Sequence, residues 1–154
     1  MTQRINYAEA SPDSLAAMMA LETHVARSSL ERPLVELVKM RASQLNGCAY
    51  CLDMHSKDAR AAGETEQRLY LLNAWREAPF YTPRERAALA WTEALTLISK
   101  GEVPDALYQE VRAQFSEKEL VELSIAVIAI NGWNRLAIPF RAEPGHYQPK
   151  QGSK

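Results

Sequence analysis

Apolar residues recur at every third or fourth position along almost the whole chain, and period-2 alternation is absent. That spacing fits the turn of an α-helix and not the two-residue repeat of a strand, so the fold is expected to be all-α. Gly, Pro and capping residues punctuate the pattern. Ser11-Pro12-Asp13 opens a helix that carries Leu15, Met18, Met19 and Val25 to about Arg27. It supplies a capping hydroxyl, a proline in the first turn and an acid at the positive end of the dipole. A second helix starts near Arg32-Pro33, with Leu34, Leu37, Val38, Arg41 and Leu45 as one stripe, and stops at Asn46-Gly47.

A third helix opens at Cys48 and runs to about Ala62, with Gly63 as its stop. A fourth covers Thr65 to Glu77 with Leu69, Leu72 and Trp75 inward. Thr82-Pro83-Arg84-Glu85 is a capping box for a fifth, which places Ala88, Trp91, Leu95 and Ile98 on one face and stops at Gly101. Pro104 to Phe115 is a sixth, using Leu107 and Val111. Ser116-Glu117-Lys118-Glu119 is a second capping box, opening an apolar segment from Leu120 through Ile130. Asn131-Gly132 is expected to kink or divide this segment before Trp133 to Phe140. Ile125 to Ile130 is apolar on every side, so it is expected to be buried all round, with a subunit interface as cover for one side. These elements amount to a bundle of about six to eight helices in one domain over residues 1–143. Residues 144–154, with Pro144, Gly145, Pro149 and Gly152, read as a flexible or extended tail.

Several classes are set aside by composition. The formal net charge is -1 over 154 residues, so no basic surplus offsets nucleic-acid phosphate or an anionic membrane surface. No run of about eighteen apolar residues occurs, so no membrane span is expected. The start, Met1-Thr2-Gln3-Arg4-Ile5-Asn6, lacks a secretory apolar stretch, and a cytoplasmic location is expected.

The chemistry concentrates in Gly47-Cys48-Ala49-Tyr50-Cys51-Leu52-Asp53-Met54-His55. The two cysteines are the only ones in the chain. A bridge between them closes almost no loop and adds little stability, which points to redox or metal chemistry and not to a structural disulfide. On a helix that starts at Cys48, the positions of Cys48, Cys51 and His55 stack on one face. The sulfurs lie within reach of a disulfide, and the imidazole within reach of Cys51. First-turn N–H groups and the helix dipole favour thiolate over thiol, and a nearby imidazolium adds to the effect. Glu36 interrupts the apolar run Leu34-Val35-Glu36-Leu37-Val38. If the two helices fold back across Gly47, Glu36 falls level with His55 and orients the imidazole or takes its proton. The plainer alternative is an exposed Glu between buried neighbours. Tyr50 reads as a packing residue, Asp53 and Lys57 as a solvated pair, His24 as a surface or satisfied core histidine, and His146 as part of the tail. Trp75, Trp91 and Trp133 read as core or interface residues.

The spacing Glu36, Cys48, Cys51, His55 resembles that of the AhpD-like alkylhydroperoxidases, within the carboxymuconolactone decarboxylase superfamily. Gln44 to Cys51, Arg84 to Trp91 and Asn131 to Ala137 are also similar to many members, and the resemblance spans roughly residues 5 to 143. It implies an all-α fold, with the motif spread over two adjacent helices, and a homo-oligomer, trimer or hexamer. It further implies a thiol-dependent peroxidase without a cofactor or metal. Cys51 would be the peroxide-attacking thiolate, Cys48 the resolving thiol, and Glu36 and His55 the proton relay. A hydroperoxide would be reduced through a sulfenic acid on Cys51 and a Cys48–Cys51 disulfide, which a lipoyl-bearing or thioredoxin-like dithiol donor would reduce. The best-known peroxidases carry a histidine before the second cysteine, where this chain has Tyr50, a poor base near neutral pH. The decarboxylase branch lacks the cysteine pair, so its presence argues against that chemistry. Two other readings stay open: a zinc site built from Cys48, Cys51, His55 and Glu36, and an oligomeric redox sensor oxidised without peroxidase turnover. A thioredoxin-type fold needs strands around its cysteines, and none is read here.

Overall fold

The computed structural model describes residues 2–149. Those residues form eight α-helices, with no strand among them: α1 (Tyr7–Ala10), α2 (Pro12–Ala26), α3 (Arg32–Asn46), α4 (Ala49–Ala61), α5 (Glu66–Leu71), α6 (Pro83–Thr96), α7 (Asp105–Arg112) and α8 (Glu117–Phe140). Both expected capping boxes form, with Thr82 and Glu85 opening α6 and Ser116 and Glu119 opening α8. The expected fourth helix is shorter than the sequence pattern, because α5 tightens into a 3₁₀ turn over Leu72–Ala74. Asn6 caps α1, a single turn that periodicity did not single out.

Helix α3 is the axis of the bundle and packs on α4, α6 and α8. Every residue from Leu34 to Ser43 is buried, so this helix has no solvent face. Its three charged residues there must therefore find partners, because an unpaired buried charge is very costly. Glu36 meets His55, Lys39 meets Glu22, and Arg41 meets Glu93. The exposed-glutamate alternative for Glu36 is thus excluded by the surrounding helices.

The Asn131-Gly132 pair does not divide α8, which runs unbroken from Glu117 to Phe140. The Asn131 side chain donates to the Val127 carbonyl one turn back, so it stays inside the helical frame and does not compete with it. Gly132 marks a close approach of α2: a Cβ there would lie 2.9 Å from Cε of Met18, whose flexible end would have to shift. Helix α8 is long and apolar enough to span a bilayer by length and composition. Leu123, Ala126, Val127, Ala129 and Ile130 are instead buried against neighbouring helices. Within the protomer burial is not all round: Ile128 is 54% exposed and Val121 63%, on the side for which a subunit interface is the expected cover. Ile98, expected inward, lies in a 3₁₀ turn after α6 and is exposed.

After α8 the chain continues without helix, and residues 144–149 lie as an extended arm along α4. Gly145 N–H donates to Asp53, Lys57 donates to the carbonyls of Gly145 and Tyr147, and Tyr147 Oη donates to Asp58. Residues 150–154 of the expected tail lie outside the described residues.

Candidate functional site

The corner between α3 and α4 builds the site. Gly47 adopts the left-handed conformation, φ 70°, that glycine tolerates without steric cost. Its N–H and that of Cys48 close the end of α3 on Gln44 and Ser43, and α4 begins at once. Glu36 lies about 16 Å back along α3 and His55 about 12 Å forward along α4, so the folded-back helices bring them level. His55 Nδ1 sits 2.9 Å from Glu36 Oε2, and both side chains are buried.

Cys48 is the N-cap of α4, one residue earlier than a first helical position, and its Sγ accepts from the Cys51 N–H at 3.4 Å. The two sulfurs are 2.7 Å apart, and both are free thiols. Ala42, Ile130 and Ala137 cover the pair with apolar surface. The thiols behave as one acid unit. Hydrogen bonding from the Cys51 thiol outweighs burial and brings Cys48 down to about 7, and the Cys51 amide adds to the effect. Holding its proton against Cys48, and buried beside that charge, Cys51 is pushed up. Alkylation of the reduced pair by iodoacetamide should rise with pH around a midpoint near 7, well below an ordinary cysteine. Rates measured across that range check it.

Cys51, but not Cys48, opens onto a cavity of about 930 Å³. His55, Glu36, Tyr50 and Met54 line it as well, together with Tyr7, Met19 and Trp133. Burial pushes the Tyr7 and Tyr50 phenols up, and negative charge at the cysteines adds to it, so both stay protonated as donors. Glu36 is held below the usual carboxylate range. Burial alone would raise it, but the His55 hydrogen bond and charge, with Lys39 and Arg32, outweigh that.

All four residues singled out in the sequence therefore meet at one corner, although the contact His55 makes at 2.9 Å is with Glu36. Asp53 and Lys57 form the expected pair, His24 is exposed, and Trp75 and Trp91 are buried. His146 is not a bystander of the tail, since it lines the cavity. Pattern reading missed three contributors. Asp58 lies within 4.8 Å of Glu36 and His55, counted between their ligating atoms. Tyr147 bonds Asp58 at 2.8 Å, and burial with that bond pushes its phenol up to about 12. Asn134 of α8 is fully buried, between Ile130 and Ala137, which pack with the two cysteines. Asn134 had a visible signal, a polar residue one turn after Ile130 on an apolar helix, whereas nothing in the sequence marks Tyr147. Among the described residues, the acid and imidazole groups that converge closely enough to hold a metal are Glu36, His55 and Asp58. The cysteines are not part of that set, so the four-ligand zinc arrangement does not assemble.

Comparison with known proteins places this architecture. Residues 12–94 match the carboxymuconolactone decarboxylase family model. The chain is 49% identical over 138 residues to the uncharacterized protein YdfG of Bacillus subtilis, covering 90% of this chain and 94% of the relative. The crystal structure of a protein of unknown function from Agrobacterium tumefaciens, to which an AhpD-type antioxidant defence role has been attributed, superposes with a TM-score of 0.92. It shares 46% identity and covers 95% of this chain and all of its own. An uncharacterized peroxidase-related protein with an alkylhydroperoxidase AhpD core, from Ralstonia eutropha, has the same fold. Its TM-score is 0.80 at 20% identity, over 90% of this chain and 74% of that one.

Proposed function

This chain belongs to the carboxymuconolactone decarboxylase family, on its AhpD-like side, and on that premise we propose that it is a thiol-dependent peroxidase. The observation that carries the reading is the opening of Cys51 and the His55–Glu36 pair onto one cavity, with a second sulfur 2.7 Å behind Cys51. Cys51 gives its proton to His55, directly or through water, and the thiolate attacks the terminal oxygen of a hydroperoxide. The S–O bond forms, the O–O bond breaks, and the alkoxide takes the proton back from His55 to leave as an alcohol. Glu36 orients the imidazole and balances its charge while it holds the proton. Cys48 then attacks the sulfur of the Cys51 sulfenic acid. A disulfide forms, and the hydroxide leaves as water with the proton of the Cys48 thiol. The lowered Cys48 thiol suits this second step, since it gives up its proton readily as it attacks. An external dithiol, on a lipoyl-bearing or thioredoxin-like protein, returns the enzyme to the reduced state by exchange. A reducing compartment such as the cytoplasm suits that cycle. Assembly into a trimer or hexamer is part of the reading, and exposed Val121 and Ile128 on α8 offer apolar surface for it.

The test is mass spectrometry of reduced protein treated with one equivalent of cumene hydroperoxide, followed by a steady-state assay with dithiol donors. We expect the loss of the mass of two hydrogen atoms, localised to a Cys48–Cys51 disulfide, and repeated turnover with donor present. Oxidation without turnover under every donor would make the protein a redox sensor and overturn the reading. Stoichiometric zinc in protein purified without added metal would overturn it in favour of a metal site.

A further inference from the structure

Behind the sulfur pair stands a chain of amides whose polarity can be worked out from its ends. Asn131 Nδ2 lies 2.9 Å from the Val127 carbonyl, a group that can only accept. The Asn131 oxygen is 2.9 Å from the Arg135 guanidinium, which can only donate. The orientation of Asn131 is therefore fixed, and its Oδ1 faces Asn46. Asn46 must answer with Nδ2, at 3.0 Å from Asn131 Oδ1, and the same nitrogen lies 2.8 Å from Asn134 Oδ1. Asn134 thus has its oxygen committed toward Asn46, and its Nδ2 faces the other way. One N–H meets Ser43 Oγ at 3.2 Å. On the other side of that amide, Ile130 and Ala137 of the same helix face pack on Cys48 and Cys51, and hydrogen bonding from Asn134 favours the charged form of both sulfurs.

We propose that Asn134 is the thiolate-stabilising donor of this site, its Nδ2 locked toward the Cys48–Cys51 sulfurs by the relay Val127–Asn131–Asn46. The inference deepens the peroxidase reading and rests on its premise that the pair is reactive. Three observations carry it. Asn134 is 0% exposed, so its amide has no water to satisfy it. Its flanking residues on α8, Ile130 and Ala137, are apolar and pack on the same two sulfurs, so shape alone would be served by an aliphatic side chain. And the polarity of the relay leaves a donor, not an acceptor, facing the sulfurs. A donor favours the charged form, and a charge-assisted hydrogen bond in a dry pocket is stronger than one in water. Tyr7 from α1, Tyr50 and His55 from α4, and Glu36 from α3 also bear on the pair or its proton. All of these stay in place when Asn134 alone is changed.

The test compares iodoacetamide alkylation of reduced wild type, Asn134→Leu and Asn134→Asp between about pH 5 and about pH 9. Leucine removes the donor without adding charge, and aspartate replaces it by an acceptor of the same shape. The apparent thiol midpoint should rise by about one unit in Asn134→Leu and further in Asn134→Asp, so alkylation near neutral pH falls about tenfold or more. A merely structural role would change the melting temperature and leave that midpoint alone. Should neither variant fold, the side-chain amide resonances of Asn134 in wild type decide the matter: they should shift with pH at the thiol midpoint. A folded Asn134→Leu with the wild-type midpoint overturns the proposal, as do Asn134 resonances that stay flat through the thiol titration. If either result appears while hydroperoxide turnover still depends on Cys51, only the role of Asn134 is lost. Loss of that dependence would sink the peroxidase reading itself.

Discussion

Cys51→Ser should lower hydroperoxide consumption to the uncatalysed background, a loss of about 10³-fold or more, while the fold is kept. Cys51 is only 1% exposed and a hydroxyl nearly matches a thiol in size, so the cavity wall is preserved. What is lost is the one sulfur of the pair that opens onto the cavity. Cys48→Ser should behave differently. Its protein should still react once, because Cys51 remains at the wall, but the sulfenic acid has no second sulfur to close on. It should then accumulate as an adduct with a dione trap, or oxidise further. Measured side by side, the single-turnover burst and the trapped mass separate the two roles. A Cys48→Ser protein without a burst, paired with a fully active Cys51→Ser protein, would exchange them. That reversal is a live comparison because Cys48 is the lowered thiol of the two.

His55→Gln should cost about 10²- to 10⁴-fold in turnover, the usual worth of a positioned acid–base group. Glu36→Gln should cost less, since an amide oxygen still accepts from Nδ1 at 2.9 Å but no longer balances an imidazolium. The pH dependence distinguishes this from a packing defect. Glu36 is held below the usual carboxylate range in the folded protein, so it is ionised throughout the neutral region. The ratio of wild-type to Glu36→Gln turnover should therefore be flat from neutral pH down to the ordinary carboxylate range, and shrink only below it. Stability follows the same sign. A depressed folded pKa means that the contribution of Glu36 is complete above its unfolded value, about 4.3. It is lost as pH falls through the lower folded value, and Glu36→Gln should flatten that part of the acid limb in denaturant titrations.

The motif was legible because its parts lie on one continuous stretch. A glycine that ends one helix, a cysteine that caps the next and a histidine one turn beyond the second cysteine are local facts, and helix geometry turns them into a shared face. Glu36 was harder. Its distance from the corner put it near the height of His55, but pattern alone allowed an exposed glutamate. That choice was made by α8 and α6, which cover the rest of α3 and leave its charges no solvent. Ile98 and Ile128 went the other way: helical spacing marks them as core, yet no helix of the protomer lies over them.

What the chain determined by itself was its helical character, its capping boxes and the order of chemical groups along α3 and α4, because these depend on neighbours within about one turn. Tertiary packing decided what the groups experience. It set Asp58 beside His55 and Glu36, laid Tyr147 of the arm onto Asp58, and tied Asn134 to Asn46 and Ser43 in a relay spanning two helices. Desolvation and hydrogen-bond polarity are properties of a surrounding volume, and sequence spacing along one helix does not specify what fills it.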